Sequence, residues 1–413
     1  MASKLTSSLF RSSHFTARAF APSASVSRAQ IKYTSSISPI SISRRNMVSA
    51  VSTSDVRHLM TIADLTPKEL TFLIDRSAAI KAATKAGEIP EATALKGKTV
   101  AVMFSKRSTR TRISTEGAVT HFGGHAMFLG KDDIQLGVNE SLYDTSRVIS
   151  SMVSCIVARV NGHSDVANLA KDSSVPVINA LSDAFHPLQA LADILTIKES
   201  FPDRPLNTLK LAWVGDANNV LHDLMFACAK VGIKVSIATP KEFPVSEDML
   251  EIARAAADEH EGCVIETTHV PEEAVKGADI IVTDTWISMG QESEKLTKLK
   301  QFAGYQVTNE LAERGGANAD WKFMHCLPRH QEEVSDEVFY SPRSVVFEEA
   351  ENRLWTMIAA METFVIKKGK FDWSWPTMLK CTRTRSALML FGDRHKPQAY
   401  TTCWLQGKGI RIV

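Results

Sequence analysis

Thr99-Val100-Ala101-Val102-Met103-Phe104-Ser105-Lys106-Arg107-Ser108-Thr109-Arg110-Thr111-Arg112 is the stretch on which fold and chemistry both turn. Its first six residues are a short, β-rich apolar run, which predicts a buried strand. The following segment, Ile113 to Phe122, predicts a helix that stops at Gly123-Gly124. Four cations and four hydroxyls therefore sit where a strand becomes a helix. Free backbone N–H groups and the positive end of the helix dipole point outward at such a start. With the hydroxyls of Ser108, Thr109 and Thr111 and the Arg110 fork added, the turn is a nest for a phosphate. The blander reading is a capped helix with a solvated basic first turn. No glycine-rich loop is present, which excludes a nucleotide P-loop.

Before this stretch, Leu65-Thr66-Pro67-Lys68-Glu69-Leu70 predicts a capped helix start, with Leu70, Leu73, Ile74 and Ile80 at helical spacing. After it, Ser154–Arg159 and Val175–Asn179 predict strands, with a short helix over Asp165–Lys171 between them. His186-Pro187-Leu188-Gln189 opens a long helix, and Phe201-Pro202-Asp203-Arg204-Pro205 closes it. A second series of strands is expected at Lys210–Val214, Val235–Ala238, Asp279–Thr283, Lys322–Cys326 and Ser344–Phe347, with a helix over Glu247–Asp258. Asn352–Lys368 is the last convincing helix. Alternation of this kind predicts an α/β chain: two doubly wound parallel-sheet domains linked by two long helices. The expected division is 55–200 with the returning helix 352–368, then 201–351. Residues 369–413 form an atypical tail without periodicity, in which Trp373, Trp375, Trp404, Cys381 and Cys403 crowd together. It reads as a lineage-specific extension or a misread frame.

Residues 1–54 are a different material. They are rich in Ser and Ala, carry Lys4, Arg11, Arg18, Arg28, Lys32, Arg44 and Arg45, and contain no acidic residue before Asp55. That is the composition of an organellar transit peptide, most simply a mitochondrial one, which predicts a mature protein in the matrix; the blander reading is a disordered tail. The six cysteines are scattered without a CxxC pair, which argues against a disulfide framework or a zinc cluster. A length of 413 residues with 44% hydrophobic and 23% charged residues suits a two-domain enzyme. A net charge of +2 points to no nucleic-acid partner, and no apolar run is long enough to span a membrane.

Four further motifs stand at predicted strand ends, where ligands of doubly wound sheets bind. They are His186-Pro187-x-Gln189, Asp216-Ala217-Asn218-Asn219, Asp284-Thr285-Trp286-Ile287-Ser288-Met289-Gly290 and His325-Cys326-Leu327-Pro328. Each alone has an ordinary structural reading. In this order and at these spacings, together with Ser-Thr-Arg-Thr, they resemble the carbamoyltransferase family, and Ser-Met-Gly and His-Cys-Leu-Pro are similar to its ornithine-specific branch. The resemblance covers about residues 57–368. It implies transfer of a carbamoyl group from carbamoyl phosphate to L-ornithine, in a homotrimer with sites near subunit interfaces, without metal or organic cofactor.

By that resemblance, Ser108, Thr109, Arg110, Thr111 and Arg159 hold the phosphate. Arg110, Thr111 and His186 face the carbonyl oxygen, and Gln189 holds the carbamoyl amide. Arg353 closes on carbamoyl phosphate from the returning helix, and Gln135 reaches a neighbouring subunit's site. Asn219 and Asp284 meet the α-substituents of ornithine, and Ser288 and Met289 fold over it. The backbone at Cys326-Leu327 meets the carbamoyl group, and Cys326, partnered by Asp284, receives the proton of the attacking amine. Competing readings are a carbamoyltransferase for putrescine or an acylated ornithine, a non-catalytic carbamoyl-phosphate binder, a Cys326/His325 hydrolase and a dinucleotide oxidoreductase. The intact Ser288-Met289-Gly290 argues against the first and the complete motif set against the second. Neighbouring residues on a strand face opposite ways, which opposes the third. The lack of G-x-G-x-x-G opposes the fourth.

Overall fold

The computed structural model describes residues 56–88, 93–131, 133, 140–287, 295–371, 402–405 and 408–411. The basic leader 1–54, Gln135, Ser288, Met289 and most of 369–413 lie outside them. The first helix, α1 (Pro67–Lys85), starts at the anticipated box: Glu69 N–H donates to Thr66 Oγ1 at 3.3 Å and Thr66 N–H to the Glu69 carboxylate at 2.9 Å.

One sheet contains β1 (Thr99–Phe104), β2 (His125–Gly130), β3 (Cys155–Arg159) and β4 (Val177–Leu181), in the order β2-β1-β3-β4. Between these strands run α2 (Thr109–His121), α3 (Leu142–Met152) and α4 (His163–Asp172). After α5 (Pro187–Ser200) comes the second sheet, with β5 (Lys210–Val214), β6 (Lys234–Ala238), β7 (Ile265–Thr268), β8 (Ile280–Val282) and β9 (Lys322–Met324) in the order β7-β6-β5-β8-β9. All pairings in both sheets are parallel. The second set of helices is α6 (Asn219–Lys230), α7 (Glu247–Ala257), α8 (Pro271–Val275), α9 (Lys295–Gln301), α10 (Asn309–Gly315) and α11 (Asp336–Phe339). Then α12 (Val346–Met361) runs on into a π-helical turn over Glu362–Ile366.

Each sheet is covered on both faces, as parallel sheets require. A large apolar cluster joins Val100 and Val102 of β1 to Leu211 and Trp213 of β5 through Leu191 and Ile194 of α5 and Met357 and Ile358 of α12. These two helices link the sheets as expected. Smaller clusters cover the outer faces, one around Met103 and Ile156, the other around Ile281, Trp286 and Phe323.

Ser344–Phe347 is not a strand. Ser344 makes one bridge to Phe323, Val345 N–H donates to Phe323 O at 3.0 Å, and Glu349 N–H then bonds Val345 O at 2.9 Å and starts the helix. Two adjacent valines carry β propensity, but Glu348 and Glu349 sit where the helix dipole favours negative charge. Likewise α2 begins at Thr109 rather than Ile113, because Ser108 caps it by accepting Thr111 N–H at 3.3 Å. The strands β2 and β7, absent from the sequence-based expectation, are sheet edges with partly exposed residues; β7 reads Ile-Glu-Thr-Thr, whereas β2 is apolar over 126–129. An antiparallel hairpin pairs Thr402–Leu405 with Lys408–Arg411 in the tail. No described helix is long and apolar enough to cross a membrane.

Candidate active site

A cleft of about 510 Å³ opens at the carboxyl ends of both sheets. Strand register explains who meets there. Phe104 pairs with Arg159, and Ser105 N–H bonds Arg159 O at 2.8 Å, so Arg159 stands beside the basic turn. Val282 pairs with Met324, so Asp284 and Cys326, each two residues further on, become neighbours: Cys326 Sγ donates to Asp284 Oδ1 at 3.0 Å. The end of β5 adds Asn218, whose Oδ1 caps α6 while its Nδ2 donates to Asp284 Oδ2 at 2.7 Å. Asn219 lines the same cleft and donates to Ser182 O at 2.6 Å.

The wall of α2 carries Ser108, Thr109, Arg110 and Thr111 into the cleft, with Lys106 and Arg107 at the preceding turn. Facing them, Arg353 of α12 is 2% exposed and donates to Gln189 Oε1 at 2.7 Å and Thr111 Oγ1 at 3.3 Å. Among the described residues the Arg159 guanidinium has no hydrogen-bond partner, and its Nε, like that of Arg353, is buried. Burial, then the neighbouring Arg110, pushes Arg159 down to about 10. Burial, then Arg110 and Arg159, does the same to Arg353. Three guanidiniums that repel one another around buried, unanswered N–H groups form a site prepared for a dianion.

Next to this cation cluster lie the groups that would handle a carbonyl and an amine. His186 ends the strand-to-helix turn before α5; burial, followed by Arg353, Arg159 and Arg110, pushes its imidazole well below the ordinary range, so it is neutral. Cys326 is pushed well above the usual thiol range, first by burial and then by the Asp284 charge, so it keeps its proton. Leu327 has φ 62, in the left-handed region, and its carbonyl accepts a hydrogen bond from Arg110. His325 donates through Nε2 to Glu333 at 3.0 Å and accepts Leu327 N–H through Nδ1 at 2.9 Å. Asp284, His325 and Cys326 place ligand atoms within 4.8 Å of one another, yet both ring nitrogens of His325 are committed to the turn.

The described motif residues Ser108, Thr109, Arg110, Thr111, Arg159, His186, Gln189, Asn219, Asp284, Cys326, Leu327 and Arg353 thus line one cleft. Gln135, Ser288 and Met289 lie outside the described residues. Asn218, Asp193 and Glu349 belong to the site yet stand outside the roles assigned above. Spacing marks two of them: Asp193 follows Gln189 by one helical turn, and Glu349 precedes Arg353 by one.

Models of the aspartate/ornithine carbamoyltransferase family match two segments. Its carbamoyl-P binding domain covers residues 57–199 and its Asp/Orn binding domain residues 207–364. The chain belongs to the aspartate/ornithine carbamoyltransferase family. Within this family it is 62% identical over 332 residues to a mitochondrial ornithine carbamoyltransferase of Coccidioides immitis, covering 77% of this chain and 95% of that one. The crystal structure of a mitochondrial ornithine carbamoyltransferase from that organism superposes with a TM-score of 0.72 at 60% identity, covering 76% of this chain and 99% of the other. The ornithine carbamoyltransferase of Pyrococcus furiosus gives 0.71 at 44% identity, with 76% and 98% covered. The family therefore extends over both sheets and all of the described cleft.

Proposed function

We propose that this chain transfers the carbamoyl group of carbamoyl phosphate to the δ-amine of L-ornithine, giving L-citrulline and phosphate. The observation that carries the reading is the triple guanidinium cluster, with its unanswered buried N–H groups, set beside a Cys326–Asp284 pair. Residues 55–200 and the returning helix 352–368 supply the carbamoyl phosphate half, and 201–351 the ornithine half. Ser108, Thr109, Arg110, Thr111 and Arg159 take the phosphate, and Arg353 closes the site from α12. As the amine attacks, charge moves onto the carbonyl oxygen. Arg110, Thr111 and neutral His186 are the hydrogen-bond donors that would receive it, and such donors contribute most where water is excluded. Arg110 donates to Leu327 O; an arriving phosphate competes for it and frees that carbonyl to accept from the δ-amine.

The δ-amine resembles that of lysine, with a pKa of about 10.4, and must lose a proton to attack. Cys326 carries its own proton, so the carboxylate of Asp284, hydrogen-bonded to the thiol, is the acceptor that lets Cys326 take part in that transfer. Asn219 and Asp284 meet the α-substituents, with Ser288 and Met289 from the following loop and Gln135 from a neighbouring subunit.

The assembly we infer is a homotrimer. Ile113 of α2, Met127 of edge strand β2 and Tyr143, Val148 and Met152 of α3 are large apolar side chains between 44% and 68% exposed, a surface that suits burial against another copy. The basic leader and the relatives named mitochondrial support a place in the mitochondrial matrix. The test is citrulline formation by the purified chain with ornithine and putrescine in parallel. Turnover with ornithine alone is expected; a folded protein that turns over neither amine would overturn the activity.

A further inference from the structure

Behind the cleft, Gln189 is committed at nearly every polar position. Its Nε2 donates to Asp193 Oδ1 at 2.8 Å and to Glu349 Oε1 at 2.9 Å, and its Oε1 accepts from Arg353 at 2.7 Å. An amide nitrogen has two hydrogens, so only an oxygen lone pair remains to face a ligand. The two ends of a glutamine amide are nearly isosteric; here the two acids decide which end meets the cleft. Glu349 does more, because its Oε2 accepts His325 N–H at 2.9 Å, one residue before Cys326. One carboxyl thus touches both the helix that presents Gln189 and the turn that presents Cys326.

We propose that Asp193 and Glu349 form a proton-sharing acid pair that holds Gln189 as an acceptor for the carbamoyl amide and ties it to the Cys326 turn. The proposal rests on the carbamoyl phosphate reading above. Both residues are 2% exposed, and an oxygen of each lies within 2.9 Å of the same Gln189 Nε2, a proximity at which two ionised carboxylates would repel. Burial, then the charge of Asp193, pushes Glu349 well above the ordinary carboxylate range, while burial pushes Asp193 up to about 7. One proton on the pair leaves one negative charge opposite buried Arg353.

Other groups face the pair from each side: Arg353 of α12, Asp284 beyond β8, Cys326 beyond β9 and Cys228 of α6. Both thiols are pushed up, and Arg353 titrates only at about 10. As pH rises, loss of the shared proton sets two carboxylates against each other and releases Gln189. KM for carbamoyl phosphate then rises on the alkaline side.

The test is steady-state kinetics on the full chain, with KM for each substrate followed from about pH 7 to about pH 10. Asp193→Asn and Glu349→Gln each keep one acid and one amide, which reproduces the single charge of the pair. Each should raise KM for carbamoyl phosphate by less than about threefold and abolish its alkaline rise, while the double variant should raise it by about tenfold or more. KM for ornithine should move less than about twofold in all three. A wild-type KM for carbamoyl phosphate without an alkaline rise would overturn the proposal, and this arm requires no variant to fold. So would single variants that keep the rise, or a double variant in which both KM values and the melting temperature shift together. Wild-type protein that forms no citrulline would instead overturn the activity on which the pair's role depends.

Discussion

Replacing Arg159 with Met should stabilise the ligand-free protein while disabling it. The guanidinium is 7% exposed, lies among Arg110 and Arg353, and has no hydrogen-bond partner among the described residues. Burial and Arg110 lower its pKa from 12.5 to about 10. At about 1.4 kcal/mol per unit, the charge costs the folded state roughly 3 kcal/mol. The sign follows from linkage. A cation whose folded pKa is depressed carries its full penalty wherever both states are protonated, which includes neutral pH, and sheds it only as pH rises through the folded value. Methionine fills a similar elongated space without charge. The ligand-free variant should therefore melt several degrees above wild type, by about 2–4 °C per kcal/mol. Binding changes in the opposite direction. Loss of two charge-assisted hydrogen bonds to phosphate, at about 1.5–3 kcal/mol each, should raise KM for carbamoyl phosphate about 100-fold or more. The assay is thermal melting with and without inorganic phosphate, beside citrulline formation. A variant that melts lower than wild type without ligand, yet keeps its stabilisation by phosphate, would refute the idea that this cluster is a strained anion site.

Two other outcomes follow from the buried titrating groups. Cys326 is held as a thiol by burial and the Asp284 charge, so its alkylation by iodoacetamide near neutral pH should be at least about tenfold slower than that of free cysteine; Asp284→Asn should accelerate it, and peptide mass spectrometry of the Cys326 segment reads both rates. Asp223 accepts Thr61 Oγ1 at 2.6 Å and Ile62 N–H at 2.7 Å, and burial raises it from 3.8 to about 7. A carboxyl raised in the folded state costs stability as pH climbs from its unfolded to its folded value. The urea midpoint of Asp223→Asn should therefore gain on wild type between about pH 4 and pH 7, and a constant difference over that range would count against the shift.

Much of the site was legible because its chemistry is local. Ser108-Thr109-Arg110-Thr111 contains its own helix cap and its own cations, and His186-Pro187 marks a helix start by the restricted backbone of proline. The central strands β1, β3, β5 and β8 read as apolar runs because neighbours cover both their faces. The edge strand β7 did not, since Glu266, Thr267 and Thr268 break its apolar pattern, while β2 carries an apolar run over 126–129 that could have marked it. Ser344–Phe347 misled because β-branched residues prefer extended backbone until a helix that can bury Trp355 and Met357 outweighs that preference.

Sequence by itself determined which residue types are present and where each meets the end of a strand, and from these a nest for a phosphate; the carbonyl and the amine entered through the family resemblance. Tertiary structure alone decided their ionisation and their mutual aim. Cys326 is a thiol because the fold buries it and Asp284 lies against it, and that contact exists only because β8 and β9 pair in parallel register. His186 is neutral because the fold buries it and, after that, because three arginines from α2, β3 and α12 converge on it. Asp193 and Glu349, on helices more than 150 positions apart in the chain, share a proton only because α5 and α12 pack together. Charge and desolvation depend on distance in space, and no reading of spacing along the chain contains that distance.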